Sequence, residues 1–337
     1  MTIRPGKKLT LKDLANILSV TPATVSKALR DSSDISLNMR EIVKAKAKEL
    51  GYRPNLLARS LINNKSKILG ILVPDLRISF FSEAVRGMYE EANKKGYETI
   101  LLIHDENKII ERKKLEFLSD VQADGILLNA TGHNSNYDIY KKLGEEGIKI
   151  VCWDRKLSGL EYKSVIIDDK KASYELTTKM IKQGRRRILF LGPNTGIQVA
   201  KDRFEGYKLA LKENSIAFNP ELIVHSFRNY SDSYNKMMSI LKSKIKIDGV
   251  ISIGGLITYG AGQAILDSSY TVPKDIMLGE FGDNDVVSRL GVPFFTVNQN
   301  PYIMGKSSVD LLIRIIEQQG AHENFNDIII DSEILKR

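Results

Sequence analysis

Short apolar runs alternate with amphipathic stretches over most of this chain, from Ile68 onward. This alternation is typical of a parallel sheet whose strands are joined by crossover helices. The first run, 68–73, precedes a helical pattern near 80–95. The later runs that we predict as strands lie at 99–103, 125–129, 148–153, 165–167, 188–191, 249–253 and 276–281. So many strands predict two sheets, and the predicted fold class is α/β.

Polar or small residues follow several of these predicted strands. Ligands bind at the carboxyl ends of the strands in open parallel sheets. We therefore expect the residues directly after the strands to line clefts. They are Asp75 with Pro74, Asn129, Asp154–Arg155, Gly192–Pro193 and Gly282–Asp283.

The net charge of +9 is concentrated in the first fifth of the chain. Residues 1–67 contain 14 Lys and Arg against five Asp and Glu, and the remaining 270 residues carry 36 of each sign. Concentrated positive charge on a small domain is typical of binding to the phosphate backbone of nucleic acids. A merely solvated basic face is the alternative on charge alone.

The basic segment shows the pattern of three short helices. Thr10 is placed to cap a first helix, and Thr21 is placed to cap a second one with Pro22 at its first position. A third helix is predicted from Ser36 to the stop signal Gly51. The second helix presents small, hydroxylic and cationic side chains of a kind that can enter a DNA major groove. A purely structural three-helix bundle is the alternative.

A short helix is predicted after Pro54, in the segment that joins the two parts of the chain. It is too short to be stable alone in water. Leu57 and Leu61 share one face, and leucines placed in this way can insert between base pairs in the minor groove. An ordinary linker helix that packs on the next domain is the alternative.

Segments 10–15, 20–29, 36–52 and 54–61 resemble, in order and spacing, the headpiece and hinge of the lactose-repressor (LacI/GalR) family. The resemblance implies that Pro22, Ala23 and Lys27 lie where base identity is read and that Leu61 intercalates at the centre of a palindromic operator. It implies a helix-turn-helix DNA-binding headpiece over 1–53, a hinge helix and linker over 54–66 and a two-lobed domain for effector binding and dimerisation over 67–337. The predicted DNA-binding residues are Thr10, Thr21, Pro22, Ala23, Thr24, Ser26, Lys27, Asn55, Ala58 and Leu61.

The resemblance continues over the whole length and implies the two-lobed fold of periplasmic sugar-binding proteins, with an effector between the lobes. Three crossovers between the lobes are expected near Gly159, Pro293 and Gly320. The predicted ligand-binding residues are Asp75, Phe80, Phe81, Asp154, Arg155, Arg203, Phe227 and Asp283. The alternatives without ligand binding are a place in a helix core for one of the phenylalanines, a salt bridge at the strand end for Asp154–Arg155 and a surface position for Arg203.

Two departures from the family pattern affect the predicted pocket. Gly254–Gly255 stand where many members have Asn-Asp, so a usual ligand contact is absent or is replaced by backbone. Phe281–Asn284 resembles the Phe-Gly-Asp-Asn of the fructose-repressor branch, which makes Asp283 our choice for the pocket acid. An ungapped alignment places Gly282 there instead.

Other classes of function have little support in the sequence. The single cysteine, Cys152, excludes an internal disulfide, and no motif of catalytic, metal-binding or phosphate-binding residues is present. No apolar stretch resembles a signal peptide or a bilayer-spanning helix, so we expect a cytoplasmic protein without a membrane partner. We predict a homodimeric regulator, most simply a repressor, which binds double-stranded operator DNA and a sugar or sugar phosphate without a cofactor. The alternative is an α/β enzyme with an accessory DNA-binding module.

Overall fold

The computed structural model describes residues 9–52, 65–131, 136–157, 159–192, 197–226, 229–282, 285–318 and 325–337. They belong to two compact units, divided between Ser66 and Lys67. The predicted hinge residues Asn55, Ala58 and Leu61 lie outside the described residues, and so do Phe227 and Asp283. What we predict of those five residues stays a prediction.

The smaller unit contains the three predicted helices, α1 (Leu11–Ile17), α2 (Pro22–Leu29) and α3 (Leu37–Glu49). The predicted caps are confirmed: Thr10 Oγ1 accepts from the amide of Asp13 at 3.2 Å, and Thr21 Oγ1 accepts from the amide of Thr24 at 3.0 Å. Each cap satisfies an amide that the first turn of a helix leaves unpaired. The small core of this unit consists of Leu14, Ala15, Val25, Ala28, Val43 and Ala47.

The larger unit contains two six-stranded sheets, as the number of apolar runs predicted. The strands are β1 (Ile68–Val73), β2 (Glu98–Ile103), β3 (Gly125–Leu128), β4 (Lys149–Trp153), β5 (Lys163–Ile166), β6 (Ile188–Gly192), β7 (Ile223–His225), β8 (Gly249–Ser252), β9 (Met277–Phe281), β10 (Phe294–Asn298), β11 (Ile328–Ile329) and β12 (Glu333–Lys336). The helices are α4 (Ser79–Lys94), α5 (Lys108–Asp120), α6 (Tyr137–Glu145), α7 (Asp169–Lys182), α8 (Gln198–Glu213), α9 (Tyr230–Lys242), α10 (Gly255–Leu266), α11 (Asp285–Ser288) and α12 (Pro301–Glu317), with a 3-10 turn at Pro220–Leu222.

Each sheet is the centre of one lobe. The sheet of lobe 1 has the order β11-β5-β4-β3-β1-β2, and that of lobe 2 has the order β12-β10-β9-β8-β6-β7. The paired strands are parallel except that β12 runs antiparallel to β10. The sequence analysis did not predict β7, β10, β11 and β12. Three of these four are two to four residues long or lie at a sheet edge, where the apolar pattern of a buried parallel strand is weak.

The chain passes between the lobes at three places in the described residues. Crossover 1 is residues 167–168 between β5 and α7, crossover 2 is residues 299–300 between β10 and α12, and crossover 3 is residues 330–332 between β11 and β12. The expected number is therefore right, but the positions near Gly159 and Pro293 are wrong. Gly159 is followed by β5, which still belongs to lobe 1, and Pro293 is followed by β10, which still belongs to lobe 2. Gly320 lies outside the described residues.

Glycines bring helices together in both lobes. In lobe 1, a Cβ on Gly87 of α4 would collide with the carbonyl of Tyr302 on α12, and a Cβ on Gly305 of α12 would collide with the carbonyl of Ala84. In lobe 2, a Cβ on Gly206 of α8 would collide with the carbonyl of Lys170 on α7. These helix pairs are therefore packed backbone against backbone. Within the described part of the chain, no helix combines the length and the apolar character needed to cross a membrane.

Candidate functional site

A pocket opens where the carboxyl ends of the two sheets meet. Its empty volume is about 680 Å³, which includes the solvent in its open mouth. The described residues that line it are Ile78, Ser79, Phe80, Phe81, Asp154, Arg155, Val199, Arg203, Ile253, Gly254, Gly255, Leu256, Ile257, Phe281, Gly282 and Gln299.

Arg203, on the first turns of α8, is held in the pocket wall by three kinds of contact. Its Nε donates to Asp169 Oδ1 at 2.7 Å and its Nη2 donates to Gln299 Oε1 at 2.9 Å. Its guanidinium carbon lies 3.9 Å from the centroid of the Phe281 ring, a cation–π contact. Arg203 is 5% exposed, so its predicted place in the pocket is observed and a surface position is not.

Asp169, the first residue of α7, is the buried counter-ion of Arg203. The close approach of α7 and α8 at Gly206 brings the two side chains together, and each is 7% exposed. Burial raises the pKa of the Asp169 carboxyl to about 7, although Arg203 acts to lower it. When Asp169 is ionised, the pair neutralises its own charge inside the pocket wall.

Arg155, directly after β4, lies in the opposite wall and is held by lobe 1 alone. Its Nη1 donates to the carbonyl of Ala130 at 2.7 Å and to Glu106 Oε2 at 3.0 Å. Asp154 Oδ2 beside it accepts from the side-chain Nδ2 of Asn129 at 3.0 Å. The pair Asp154–Arg155 is therefore part of a strand-end polar network and also lines the pocket. That the pair binds a ligand stays a prediction.

Phe80 and Phe81, at the start of α4, supply an aromatic wall. Their rings lie 5.2 Å apart between centroids, and Trp153 packs behind them at 6.4 Å from Phe80 and 6.0 Å from Phe81. Phe80 is 9% exposed and Phe81 is 5% exposed. Both rings are therefore core residues with one side on the pocket, which suits an apolar ligand surface.

The other sequence-predicted pocket residues divide into those that the structure brings to the pocket and those that it does not. Gly254–Gly255 line it with their backbone, and Gly282 lines it with a φ of 102°. Asp75 is not among the lining residues, since its carboxylate makes an ion pair with Arg77 at 2.8 Å.

Sequence reasoning missed Gln299 and Asp169. Gln299 follows β10, a strand that was not predicted, so the rule that places ligands at strand ends was not applied to it. Asp169 stands beside Asp168, which caps α7 by accepting from the amide of Lys171 at 2.9 Å. A local pattern does not distinguish these two acids.

The predicted DNA-binding side chains of the smaller unit are exposed or half-buried. Val25 and Ala28 of α2 are buried, whereas Thr21, Pro22, Ala23 and Lys27 are exposed and Thr24 and Ser26 are half-buried. Thr10 is exposed at the start of α1. The ammonium of Lys27 bonds to Asp34, and this hydrogen bond lowers the pKa of the Asp34 carboxyl to about 2.

The described residues contain no cluster of three or more His, Cys, Asp or Glu arranged to hold a metal ion. Cys152 is fully buried on β4, and burial raises the pKa of its thiol to about 12. A buried thiol of this kind is a poor nucleophile.

Two family models match the chain. The model described as bacterial regulatory proteins, lacI family, matches residues 10–55, and the model described as periplasmic binding protein domain matches residues 69–320. The first match covers the three helices of the smaller unit, and the second covers most of the two-lobed unit.

Curated relatives match along nearly the whole chain. The transcriptional regulator RegA of Clostridium saccharobutylicum is 30% identical over 97% of this chain and 98% of its own length. The ribose operon repressor of Haemophilus influenzae is 28% identical over 97% of each chain. These relatives are named as transcriptional regulators rather than as enzymes.

The fold of the whole chain matches solved structures. The lac repressor dimer bound to operator and the anti-inducer ONPF gives a TM-score of 0.86 with 21% identity, over 98% of both chains. The cellobiose complex of the transcriptional regulator CelR gives 0.72 with 23% identity, over 97% of this chain and 98% of its own. At these identities the likeness concerns the fold. The two family models, over 10–55 and 69–320, and the match to RegA along nearly the whole chain show that this chain belongs to the LacI family of bacterial regulatory proteins.

Proposed function

We propose that this protein is a transcriptional repressor of carbohydrate metabolism genes, which binds a palindromic operator as a homodimer and responds to a sugar or sugar phosphate. The single observation that carries the proposal is the pocket between the lobes. It combines an aromatic wall at Phe80 and Phe81 with two buried arginines and Asp154. Aromatic faces and paired polar groups are what a polyhydroxylated ligand needs for stacking and for hydrogen bonding.

The smaller unit supplies the DNA-binding part of the proposal. Its exposed α2 face, with Thr21, Pro22, Ala23, Thr24, Ser26 and Lys27, fits a major groove, and methyl groups or DNA shape contribute to readout because Pro22 and Ala23 are apolar. Residues 1–53 form the headpiece, 54–66 the hinge with Asn55, Ala58 and Leu61, and 67–337 the effector and dimerisation domain. The protein acts in the cytoplasm, without catalysis and without a cofactor.

The DNA part is tested by selection of genomic fragments with the purified full chain, followed by footprinting at several salt concentrations. We expect a palindromic site whose affinity falls steeply with salt, because bound phosphates release counterions. Leu61→Ala should weaken the specific site at least about tenfold through loss of the minor-groove insertion. An unchanged footprint would contradict the role given to Leu61, and salt-insensitive or absent binding would contradict the proposal.

The ligand part is tested by thermal-shift measurements with D-ribose, D-ribose 5-phosphate and cellobiose, while the solution is assayed for products. A regulator is stabilised by a sugar that it leaves intact, whereas an enzyme converts it. Arg203→Ala should remove the ligand-induced shift, and Gln198→Ala, one turn earlier on α8 and bonded to Asp202, should retain it. A shift that survives in Arg203→Ala would place the ligand elsewhere.

A further inference from the structure

Arg203 connects two of the three crossovers between the lobes. Asp169, which accepts from its Nε, is the residue directly after crossover 1, and Gln299, which accepts from its Nη2, is the first residue of crossover 2. All three side chains are more than nine-tenths buried. One pocket residue therefore makes hydrogen bonds to both chain segments that enter and leave lobe 2.

Asn300 connects crossover 2 with crossover 3. It adopts the left-handed backbone conformation, with φ 48° and ψ 53°, and its side-chain amide donates to the carbonyl of Asp331 at 2.9 Å. Asparagine tolerates this conformation better than most residues. Its neighbour Asn298 donates to Glu333 Oε1 at 3.2 Å. Arg203 and Asn300 thus make hydrogen bonds next to all three crossovers, and the two sets of bonds are joined by the peptide bond between Gln299 and Asn300.

We propose that Asp169 and Gln299 are positioning residues, which fix Arg203 against crossovers 1 and 2 and make the angle between the lobes depend on the contacts of Arg203. Hinges between domains are a few residues at the ends of elements, and these crossovers fit that description. A ligand that bonds to Arg203 pulls on a group that Asp169 and Gln299 hold, so it favours the lobe arrangement in which all of these bonds are made. The effect of a ligand in this inference rests on the proposed function, whereas the positioning of Arg203 does not.

The lobe angle is measured in the full chain without ligand or DNA. Spin labels are attached at two exposed positions, through Lys141→Cys on α6 of lobe 1 and Lys244→Cys before β8 of lobe 2. Double electron–electron resonance then measures the distribution of distances between the two labels. The buried thiol of Cys152 stays unlabelled. In the doubly labelled protein, Gln299→Leu removes the oxygen that accepts from Arg203 Nη2, whereas Gln299→Glu keeps an accepting oxygen.

A matched control is Gln263→Leu, the same substitution on α10 of lobe 2, where Gln263 bonds to Asp267 and not to a crossover. We expect Gln299→Leu to broaden the distance distribution by about twofold, and Gln299→Glu and Gln263→Leu to leave it unchanged. Equal widths for Gln299→Leu and the parent protein, or equal broadening in Gln263→Leu, would overturn the proposal.

A second pair of variants distinguishes the loss of the Arg203 contact from a general loss of folding. Asp169→Asn keeps the shape of the side chain but removes its charge, whereas Asp168→Asn keeps a good helix cap next to it. We expect broadening in Asp169→Asn and none in Asp168→Asn, with unchanged far-UV circular dichroism in both. Equal behaviour of the two variants would assign Asp169 to helix stability alone. The distances are measured without DNA. A failure to find an operator would therefore contradict the proposed function but not the role of Asp169 and Gln299.

Discussion

Each lobe gives the pocket one buried arginine, but the two arginines are held in different ways. Arg155 bonds to Glu106 and to the carbonyl of Ala130, all within lobe 1. Arg203 bonds to Asp169 and Gln299, which adjoin two crossovers. A ligand that reaches Arg155 meets a group held within lobe 1, whereas at Arg203 it meets a group held by two residues that adjoin crossovers 1 and 2.

The largest expected difference between the two arginines is in stability. Arg203→Ala leaves Asp169 buried without its cation, which costs about 3–5 kcal/mol for a broken buried pair. Arg155→Ala leaves Glu106, whose side chain is 31% exposed and can regain water, so the loss is about 1–3 kcal/mol. Denaturant unfolding followed by the fluorescence of Trp153, the single tryptophan, measures both. If both variants lost the same free energy of unfolding, the two arginines would not differ in how they are held.

The same contrast has a pH dependence. The pKa of Asp169 is raised in the folded protein by burial, so its contribution to stability is full below the unfolded pKa and is lost as pH rises through about 7. Without Arg203 the carboxyl pays the full cost of ionising inside the protein. The deficit of Arg203→Ala relative to the parent should therefore be larger at pH 8 than at pH 6, whereas that of Arg155→Ala should change little. If the loss of stability in Arg203→Ala became smaller as the pH rises from 6 to 8, the pairing of Asp169 with Arg203 would not be its cause.

A smaller pH effect is expected from lobe 1. His104 is fully buried with Nε2 at 2.8 Å from the carbonyl of Asn129, and burial lowers its pKa below the usual 6.5. Stability is then present above the unfolded pKa and is lost as pH falls, because the unfolded chain takes up the proton first. His104→Gln should reduce the loss between pH 7 and pH 5 by an amount on the order of 1 kcal/mol.

His225→Gln is the control for His104, since His225 is exposed at the end of β7. We expect His225→Gln to lose as much stability between pH 7 and pH 5 as the parent protein does. If both substitutions flatten the pH profile equally, the burial of His104 is not the cause.

The smallest expected effect is at Asp75. Its ion pair with Arg77, which is 81% exposed, lies outside the residues that line the pocket. Exposed pairs contribute about 0–1 kcal/mol, so Asp75→Asn should change both stability and the ligand-induced thermal shift very little. A lost shift would show that Asp75 reaches the ligand, and lobe 1 would then provide a second acidic contact beside Asp154.

Local patterns in the sequence predicted the helices of the smaller unit because caps and prolines act within a few residues. Thr10, Thr21 and Ser36 each cap the helix expected of them. The buried parallel strands were equally visible as apolar runs. Edge strands such as β7 and β12 carry half-buried and exposed residues, so their pattern gave no such signal.

The pocket was predicted only in part for a different physical reason. Asp154, Arg155 and Phe80 follow or adjoin predicted strands, so the strand-end rule and the family resemblance found them. The partners of Arg203 are 34 and 96 residues away in the chain. Their contact depends on how α7, α8 and β10 pack, and no periodicity in one segment encodes a pairing between distant segments.

The glycine contacts between α4 and α12 have a mechanical consequence. Gly87 and Gly305 leave no side-chain layer between these helices, so they cannot slide or tilt separately. The first helix begins at the aromatic wall of Phe80, and the second begins directly after Asn300. The closely packed pair therefore connects the aromatic wall of the pocket with crossover 2, and replacing either glycine with alanine would push the two helix backbones apart.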